Sequence, residues 1–218
     1  MNSPFFSLLV LAGIAVFLIL RLRNVLGTRE GFEPPREATV APERRGPDLE
    51  VIEGGPDRDI LDHAEEGSES AIALAKMKSI EPQFGVSDFL QGARGAYEMI
   101  LMAFEKGDMA SILPFLSEDV YESFAQVVDG REAQGLTIEA EFIGVREMML
   151  HSARYDEQSG EGEISVKFIG ELTSVVRDRA GEIIEGSETQ IKRQKDVWTF
   201  ARVMGSDDPN WQLVATGE

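Results

Sequence analysis

The sequence contains no cysteine, and this absence removes several kinds of chemistry. Disulfide bonds, thiolate nucleophiles and cysteine-ligated zinc all require that side chain. Histidine is almost as scarce, and the two that occur, His63 and His151, lie far apart in the chain. Two isolated histidines make neither a metal site nor a catalytic triad. We therefore expect no metal, no cofactor and no catalytic residue.

Positive charge is also sparse. The chain has 21 basic and 39 acidic side chains, which gives a formal net charge of −18 at pH 7. Residues 81–218 alone hold 12 basic and 26 acidic side chains. A nucleic-acid-binding surface needs clustered lysine and arginine to neutralise phosphates, so we expect no nucleic acid among the partners. An acidic surface suits a basic partner such as a cationic targeting segment, although it also simply favours solubility.

The first twenty residues carry no charged side chain, and residues 4–20 contain a single polar side chain, a serine. A helix over residues 2–20 would span roughly 28 Å, close to the thickness of a bilayer's hydrocarbon core. Arg21 and Arg23 follow at once. By the positive-inside rule, the N-terminus then lies outside and the rest of the chain in the cytoplasm. We predict a single transmembrane anchor at residues 1–23.

A cleaved signal peptide is the alternative interpretation of this apolar segment. Such a peptide has a basic region before the apolar run and small residues at a cleavage site after it. Here no lysine or arginine precedes the run, and Leu20-Arg21-Leu22 is a poor cleavage context. The pattern therefore favours an anchor that is retained.

Residues 24–70 are rich in proline, glycine and charged side chains, and large apolar residues are few. Such a stretch cannot bury enough surface to offset its chain entropy, so we predict a disordered linker with a reach of roughly 40 Å. Residues 71–218 form the predicted domain. Apolar residues recur there first at helical spacing and then, after Gly135, in alternation. This order predicts an α+β fold, with helices packed in the concave face of a curved antiparallel sheet.

Residues 71–78 read as a short helix that is apolar on one side, with Lys76 and Lys78 at its cationic edge. Two interpretations remain open for this helix. It either docks on the domain or makes an amphipathic contact with lipid or a partner.

A longer helix is predicted over residues 87–106, with Ser87 as its N-cap and Gly107 ending it. Ser117 is the predicted N-cap of a further helix. Residues 178–181 read as a hairpin turn, with glycine at the position that needs a positive φ.

Four segments carry a resemblance to a known family. Residues 89–97 read FLQGARGAY, and residues 107–124 begin with Gly-Asp and continue through a Leu-Ser pair to Val-Tyr and Phe. Residues 196–202 read DVWTFAR, and residues 208–213 read DPNWQL. Together these motifs resemble the Tim44-like domain family, and the resemblance covers roughly residues 80–217.

The resemblance implies a cone-shaped fold like that of nuclear transport factor two. It also implies a relation to the scaffold subunit of the mitochondrial inner-membrane import translocase. With its apolar start and acidic linker, the chain looks like a bacterial inner-membrane member of the family. The implied function is a membrane-tethered adaptor, not an enzyme, that contacts polypeptide or lipid near a protein translocase. A lipid-recognising envelope factor is a further alternative.

Aromatic side chains are the candidates for a pocket or partner contact, since ligand pockets are mostly apolar. These residues are Tyr97, Phe104, Trp198, Phe200 and Trp211. For both tryptophans and Phe200 the pattern favours positions in the core and at the edge of the sheet, and the walls of a ligand pocket are the alternative. Related cone folds also house enzymes with a carboxylate base in the pocket, so a small-molecule-binding enzyme stays open, with Tyr155 as another pocket residue. Asp196 and Arg202 flank the aromatic strand and are expected to form a structural ion pair.

Overall fold

The computed structural model describes residues 57–217, in which helices come first and strands follow. The helices are α1 (Arg58–Leu61), α2 (Glu69–Ile80), α3 (Val86–Lys106), α4 (Met109–Ile112) and α5 (Glu118–Gln134), with a 3₁₀ turn at Leu113–Phe115. The strands are β1 (Thr137–Asp156), β2 (Glu161–Arg177), β3 (Ile183–Val203) and β4 (Gln212–Gly217). The predicted α+β class is confirmed.

The four strands form one antiparallel sheet in sequence order. Alternate residues of β2, among them Ile164, Val166 and Phe168, are fully buried, because one face of the sheet lies under the helices. Three register shifts interrupt the pairing of β1 with β2, and bulges of this kind bend a strand and increase its twist. The sheet is accordingly curved, with the helical layer on one side.

Helix α2 docks on the domain. Its Leu74 and Met77 are fully buried in the core. The two lysines of the predicted cationic edge are paired with carboxylates: Lys78 with Asp57 and Asp59, and Lys76 with Glu157. The structure therefore agrees with the docking interpretation of this helix.

Packing begins earlier in the chain than the predicted domain start at residue 71. Ile60 in α1 is buried in the core, so residues 57–70 belong to the folded unit and not to the linker. The composition of residues 57–70 does not reveal this packing, because Ile60 is the only large apolar side chain of the segment that is buried. Within residues 57–217, no helix combines the length and apolar content that a membrane crossing needs. The predicted anchor at 1–23 and the remainder of the predicted linker, 24–56, lie outside the described residues.

The long helix α3 begins one residue earlier than predicted, and its N-cap position is Gly85. The predicted Ser87 cap is wrong. The carboxylate of Asp59 in α1 instead accepts hydrogen bonds from the backbone amides of Val86 at 2.8 Å and Ser87 at 3.0 Å. A carboxylate at this end of a helix also interacts favourably with the helix dipole. A cap supplied from a separate helix leaves no local signal in the sequence.

The other predicted helix ends and the hairpin turn are confirmed. Gly107 ends α3 in the left-handed region, with φ of 74°. The Ser117 hydroxyl accepts a hydrogen bond from the Val120 amide at the start of α5. Gly181 has φ of 82° in the turn between β2 and β3.

The Asp59 cap predicts a stability difference that depends on pH. Burial raises the pKa of the Asp59 carboxyl, but hydrogen bonds from Lys78 and the amides of Ser87 and Val86 outweigh burial and hold that pKa well below its usual range. The stabilisation is therefore fully present above the ordinary pKa of 3.8 and is lost as the pH falls towards the folded-state pKa. Asp59→Ala should lower the free energy of unfolding by about 2 kcal/mol at pH 7.

Denaturant titration of the full-length protein in detergent micelles, followed by tryptophan fluorescence, measures this difference. The exposed Asp62 provides the control, and Asp62→Ala should change stability by less than about 0.5 kcal/mol. An Asp59→Ala difference that stays constant as the pH falls below 3 would contradict the assigned role of the carboxylate.

Close packing between α3 and the sheet predicts a second stability effect. A Cβ atom added at Gly170 in β2 would lie 2.7 Å from the hydroxyl of the buried Tyr97 and 3.0 Å from its ring. Gly170→Ala should therefore cost about 2 kcal/mol of unfolding free energy. Gly144→Ala in β1 is the matched control, because a Cβ there meets nothing within 4 Å. Equal denaturation midpoints for the two variants would show that the contact with Tyr97 relaxes freely.

Candidate functional site

The centre of the helix–sheet interface is built around Tyr97 of α3. Its side chain is fully buried, and its ring stacks on Phe168 of β2 at 4.4 Å with an interplanar angle of 11°. Trp198 of β3 lies 4.7 Å away. The phenol donates a hydrogen bond of 2.6 Å to Asp196, whose second carboxylate oxygen accepts from the side chain of Gln194. A polar pair thus links α3 to β3 inside an aromatic cluster.

Tyr97 is the hydrogen-bond donor of its pair with Asp196. Burial raises the pKa of the Tyr97 phenol, and the hydrogen bond to Asp196 and the charge of that carboxylate raise it further. The hydroxyl therefore keeps its proton at any physiological pH. Because aromatic rings pack around it, the pair acts as a positional lock between helix and sheet.

Four of the five predicted aromatic residues belong to one continuous row. Trp198 lies 6.3 Å from Phe200, which contacts Phe89 at 6.0 Å, and Phe89 lies 4.8 Å from Trp211. Tyr97 extends the row from the Trp198 end. Three of the predicted residues are at most 3% exposed and form core: Tyr97, Trp198 and Phe200. Trp211 is only partly buried, so it reaches the surface at the other end of the row.

Phe104 lies apart from this row, near the C-terminal end of α3. Its ring contacts Phe124 of α5 at 4.6 Å, and the guanidinium of Arg131 lies over it at 4.4 Å. Arg131 also donates a hydrogen bond to the Phe104 carbonyl. Phe104 is partly buried, so it too remains within reach of a partner.

Charged residues meet near Phe104, and they were not among the residues singled out from the sequence. Burial raises the pKa of Glu105, while the nearby charges of Arg131 and Lys192 oppose that rise. Burial likewise lowers the pKa of Arg131. One signal could have found this cluster. Arg131 occupies the next position of the apolar stripe that runs along α5 through Val120, Phe124 and Val128.

The expected ion pair between Asp196 and Arg202 is wrong. Six residues of a strand span roughly 20 Å, too far for the two side chains to meet. Arg202 instead pairs with Glu81, just after α2, at 2.7 Å, and its guanidinium lies 5.2 Å from the ring centroid of Trp211. The Glu81 carboxylate also accepts from the Gly205 amide. These contacts fasten the end of α2 to the loop between β3 and β4.

Tyr155 lies at the turn between β1 and β2, where it lines a shallow cavity of about 390 Å³ that is open to solvent. The neighbouring Asp156 accepts hydrogen bonds from the Gln158 amide and the Ser159 hydroxyl. These bonds lower the pKa of Asp156 and hold the turn. The lowered pKa of the Asp156 carboxyl is therefore explained by the hydrogen bonds of the turn.

The outer strands of the sheet are β1 on one side and β4, which is shorter than the neighbouring β3, on the other. On β1, the Ala153 amide donates to the Ser70 hydroxyl at 3.1 Å, and Arg94 donates to the Val145 carbonyl at 3.5 Å. On β3, the pairing with β4 covers Val197–Ala201. The preceding residues 192–195 pair with β2 on one side, and within residues 57–217 no strand pairs with them on the other.

Helices pack on one face of an antiparallel sheet, so the protein is an α+β domain. Its core is rich in aromatic side chains, and Phe104 and Trp211 are partly exposed. Residues 70–218 match the Tim44-like domain. The chain belongs to the Tim44-like domain family, as the resemblance in its motifs predicted.

Two relatives carry the translocase name. The mitochondrial import inner membrane translocase subunit TIM44-1 of Arabidopsis thaliana is 24% identical over 153 residues, covering 67% of this chain and 32% of the relative. Human TIM44 is 23% identical over 150 residues, covering 67% and 33%. The chain thus spans about a third of the length of these two proteins.

A third relative has a different name. The large ribosomal subunit protein mL45 of Drosophila melanogaster is 25% identical over 209 residues, covering 89% of this chain and 56% of the relative. Among solved structures, the intermembrane space region of the chloroplast protein ARC6 covers 66% of this chain and 94% of its own, with 11% identity and a TM-score of 0.37. A similarity at that score is too low to define a shared fold.

Proposed function

We propose that the protein is a membrane-tethered adaptor that binds a polypeptide at the bacterial inner membrane, next to a protein translocase. One observation carries the proposal. Nearly the whole described domain matches a family whose members include two proteins named as subunits of an inner-membrane import translocase. The adaptor role is a binding function without turnover, in keeping with an acidic chain that lacks cysteine.

The proposed arrangement in the membrane follows from the sequence. Residues 1–23 are the single-pass anchor, with the N-terminus outside, and the domain, which begins at residue 57, lies in the cytoplasm. Residues 24–56 supply the linker, which allows the domain to work tens of ångströms from the bilayer. We further propose that the curved sheet and its helices form the cone of nuclear transport factor two-like proteins.

The partly buried ends of the aromatic clusters are the proposed partner contacts. Phe104 and Trp211 combine an apolar face with a neighbouring guanidinium, Arg131 in one case and Arg202 in the other. Aromatic and arginine side chains dominate the energetics of protein interfaces. The buried Tyr97, Trp198 and Phe200 belong to the row that ends at Trp211 and support that position from the core.

Co-purification tests the adaptor proposal. After mild solubilisation of native membranes, the tagged full-length protein should bring down membrane proteins that take part in protein transport. A variant lacking residues 1–23 should leave the membrane fraction and lose those partners. Recovery of soluble metabolites alone, or turnover of a small molecule by the purified protein, would favour the enzyme alternative and contradict the adaptor.

Two other candidates give distinct results. A lipid-recognising envelope factor would float with liposomes even without residues 1–23, whereas an adaptor held only by its anchor would not. The Drosophila relative is named as a ribosomal protein and matches 89% of this chain, so contact with a ribosome is the other candidate. Co-sedimentation with ribosomes in a sucrose gradient would support it, although a net charge of −18 disfavours contact with RNA.

A further inference from the structure

The outer face of the sheet, which points away from the helices, has a small apolar centre. Strand alternation buries Phe168 under the helices and places its neighbours Lys167 and Ile169 on the outer face. The pairing of the strands puts Met149 of β1 and Val197 of β3 on either side of Lys167. Met149 is 51% exposed, and Ile169 and Val197 are half-buried. Apolar surface is therefore accessible in the middle of this face.

Four exposed basic side chains surround the apolar centre and form with it what we call the outer patch. They are Arg146, Lys167, Arg193 and Lys195. Arg146 and Arg193 share the carboxylate of Glu171, at 3.4 and 2.9 Å, and Arg146 also lies 4.0 Å from Glu147. Within the described residues, no ion pair forms on Lys167 or Lys195. The outer patch thus carries a surplus of positive charge, although residues 81–218 hold 12 basic and 26 acidic side chains.

Acidic side chains bound the outer patch at both ends of the strands. Glu163 lies on the same face of β2, two rows beyond Lys167. Glu141 of β1, which is paired with Thr173, lies one row beyond Glu171 on the other side. A flat anionic membrane surface would contact these carboxylates together with the basic residues and would be repelled by them. The charge pattern therefore favours a ligand of limited width.

The dimensions of the outer patch fit a single helix. Three neighbouring strands span about 10 Å from the first to the third, and three rows of side chains span about 14 Å along them. A helix is about 10 to 12 Å wide with its side chains, and about nine of its residues rise 14 Å. A helix packs on a sheet through an apolar stripe. Acidic residues on both sides of that stripe would meet the basic residues of the patch.

A second copy of this chain matches the outer patch poorly. In a two-fold symmetric dimer the same surface lies on both sides of the interface. The basic residues of one copy would then face those of the other, and like charges across an interface are unfavourable. Charge complementarity favours a different, acidic polypeptide.

We propose that the outer patch binds an amphipathic helix of a partner polypeptide. The apolar stripe of that helix packs on Met149, Ile169 and Val197, and its acidic residues pair with Lys167 and Lys195. This inference rests on the proposed adaptor function and assigns it a further surface and a partner chemistry.

Fluorescence anisotropy of a labelled peptide tests this surface. The full-length protein is titrated in micelles of a non-ionic detergent, and empty micelles supply the baseline. The probe is a fluorescein-labelled peptide of about 18 residues, long enough to form a helix, with a leucine stripe flanked by glutamates. One control peptide carries lysine in place of glutamate, and another has the same composition in an order without the stripe. The acidic amphipathic peptide should bind, and both controls should bind at least about tenfold more weakly.

Variants with matched charge changes locate the site. K167Q/K195Q should weaken binding of the acidic peptide about tenfold. R58Q/K106Q, which removes two exposed positive charges elsewhere, should bind as the parent does. K167E/K195E should reverse the preference and bind the lysine peptide more tightly than the glutamate peptide.

Crosslinking to the parent protein locates the contact without any variant. A photoreactive leucine in the stripe of the acidic peptide should crosslink to Met149 or Val197. Crosslinks to another surface would overturn the proposal, as would no binding above the empty-micelle baseline. Equal binding of the peptide without the stripe, or equal binding by K167Q/K195Q and the parent, would overturn it too.

Three further results would assign the patch differently. Displacement of the peptide by phosphatidylglycerol in mixed micelles would make an anionic lipid surface the occupant. A dimer of the parent protein that K167E/K195E dissociates would make a second copy the occupant. If K167E/K195E loses the acidic peptide but still brings down the same transport proteins from native membranes, the adaptor function stands and this surface alone is wrong.

Discussion

Tyr97→Ala should lower the free energy of unfolding by about 4 kcal/mol. The substitution removes a fully buried ring that stacks on Phe168 and contacts Trp198, and it leaves a cavity at the centre of the helix–sheet interface. It also removes the 2.6 Å hydrogen bond to Asp196. Denaturant titration of the full-length protein, followed by tryptophan fluorescence, measures the loss. Both tryptophans of the sequence, at positions 198 and 211, lie in this domain and report its unfolding.

Two companion variants separate the ring from its hydroxyl. Tyr97→Phe keeps the stacking and should cost about 1 to 2 kcal/mol, since it removes only the hydrogen bond. Tyr121→Ala, at a half-exposed position of α5, should cost about 1 kcal/mol. If Tyr97→Ala were no more destabilising than Tyr121→Ala, the aromatic lock would not be the centre of this core.

Glu81→Ala should lower the free energy of unfolding by about 3 kcal/mol, because it leaves the guanidinium of Arg202 buried without its counter-charge. The Arg202 side chain is only 6% exposed, and that of Glu81 is 27% exposed. The double variant Glu81→Ala/Arg202→Met should recover at least half of the loss, since no buried charge then remains. Denaturation of the single and double variants measures the coupling. Additive losses would contradict a buried, interacting pair.

The same pair predicts a response to acid. The hydrogen bond from Arg202 lowers the pKa of Glu81 below its ordinary value of 4.5. The pair therefore stabilises the fold fully above pH 4.5, and this contribution is lost as the pH falls through the lowered pKa. Glu157→Ala serves as the control, because it removes a carboxylate that is 76% exposed and paired with Lys76. It should change stability little both above and below pH 4.5.

Much of the fold could be read from local patterns. Alternation of apolar residues after Gly135 predicted the strands of the sheet, and Ile164, Val166 and Phe168, which alternate along β2, are fully buried. Glycine and serine at helix ends located the stop of α3 and the start of α5. These signals work because strand alternation, capping and positive φ are properties of a few adjacent residues.

The interactions that join distant segments could not be predicted in the same way. Asp59 caps α3 across 27 residues of sequence, and Glu81 meets Arg202 across 121. The local sequence pattern instead predicted Ser87 as the cap and Asp196 as the partner of Arg202. Ser87 and Asp196 are close in sequence to the groups that they were predicted to contact, but they do not make those contacts. Neighbouring residues do not encode which distant carboxylate packs against a helix end or an arginine in the folded protein.

The same contrast between local patterns and contacts of distant segments applies to the candidate site. Aromatic residues were identifiable from sequence, yet their type alone could not separate the buried Trp198 from the partly exposed Trp211.

The central claim is that this domain holds a polypeptide at the membrane, and photo-crosslinking in native membranes tests it most directly. Photoreactive residues at positions 104 and 211, each in the full-length protein, sample the two partly buried aromatic positions proposed as partner contacts. We expect crosslinks to a membrane-associated polypeptide, with position 62 as an exposed control that captures much less. Crosslinks to lipid alone, or equal capture at all three positions, would contradict it.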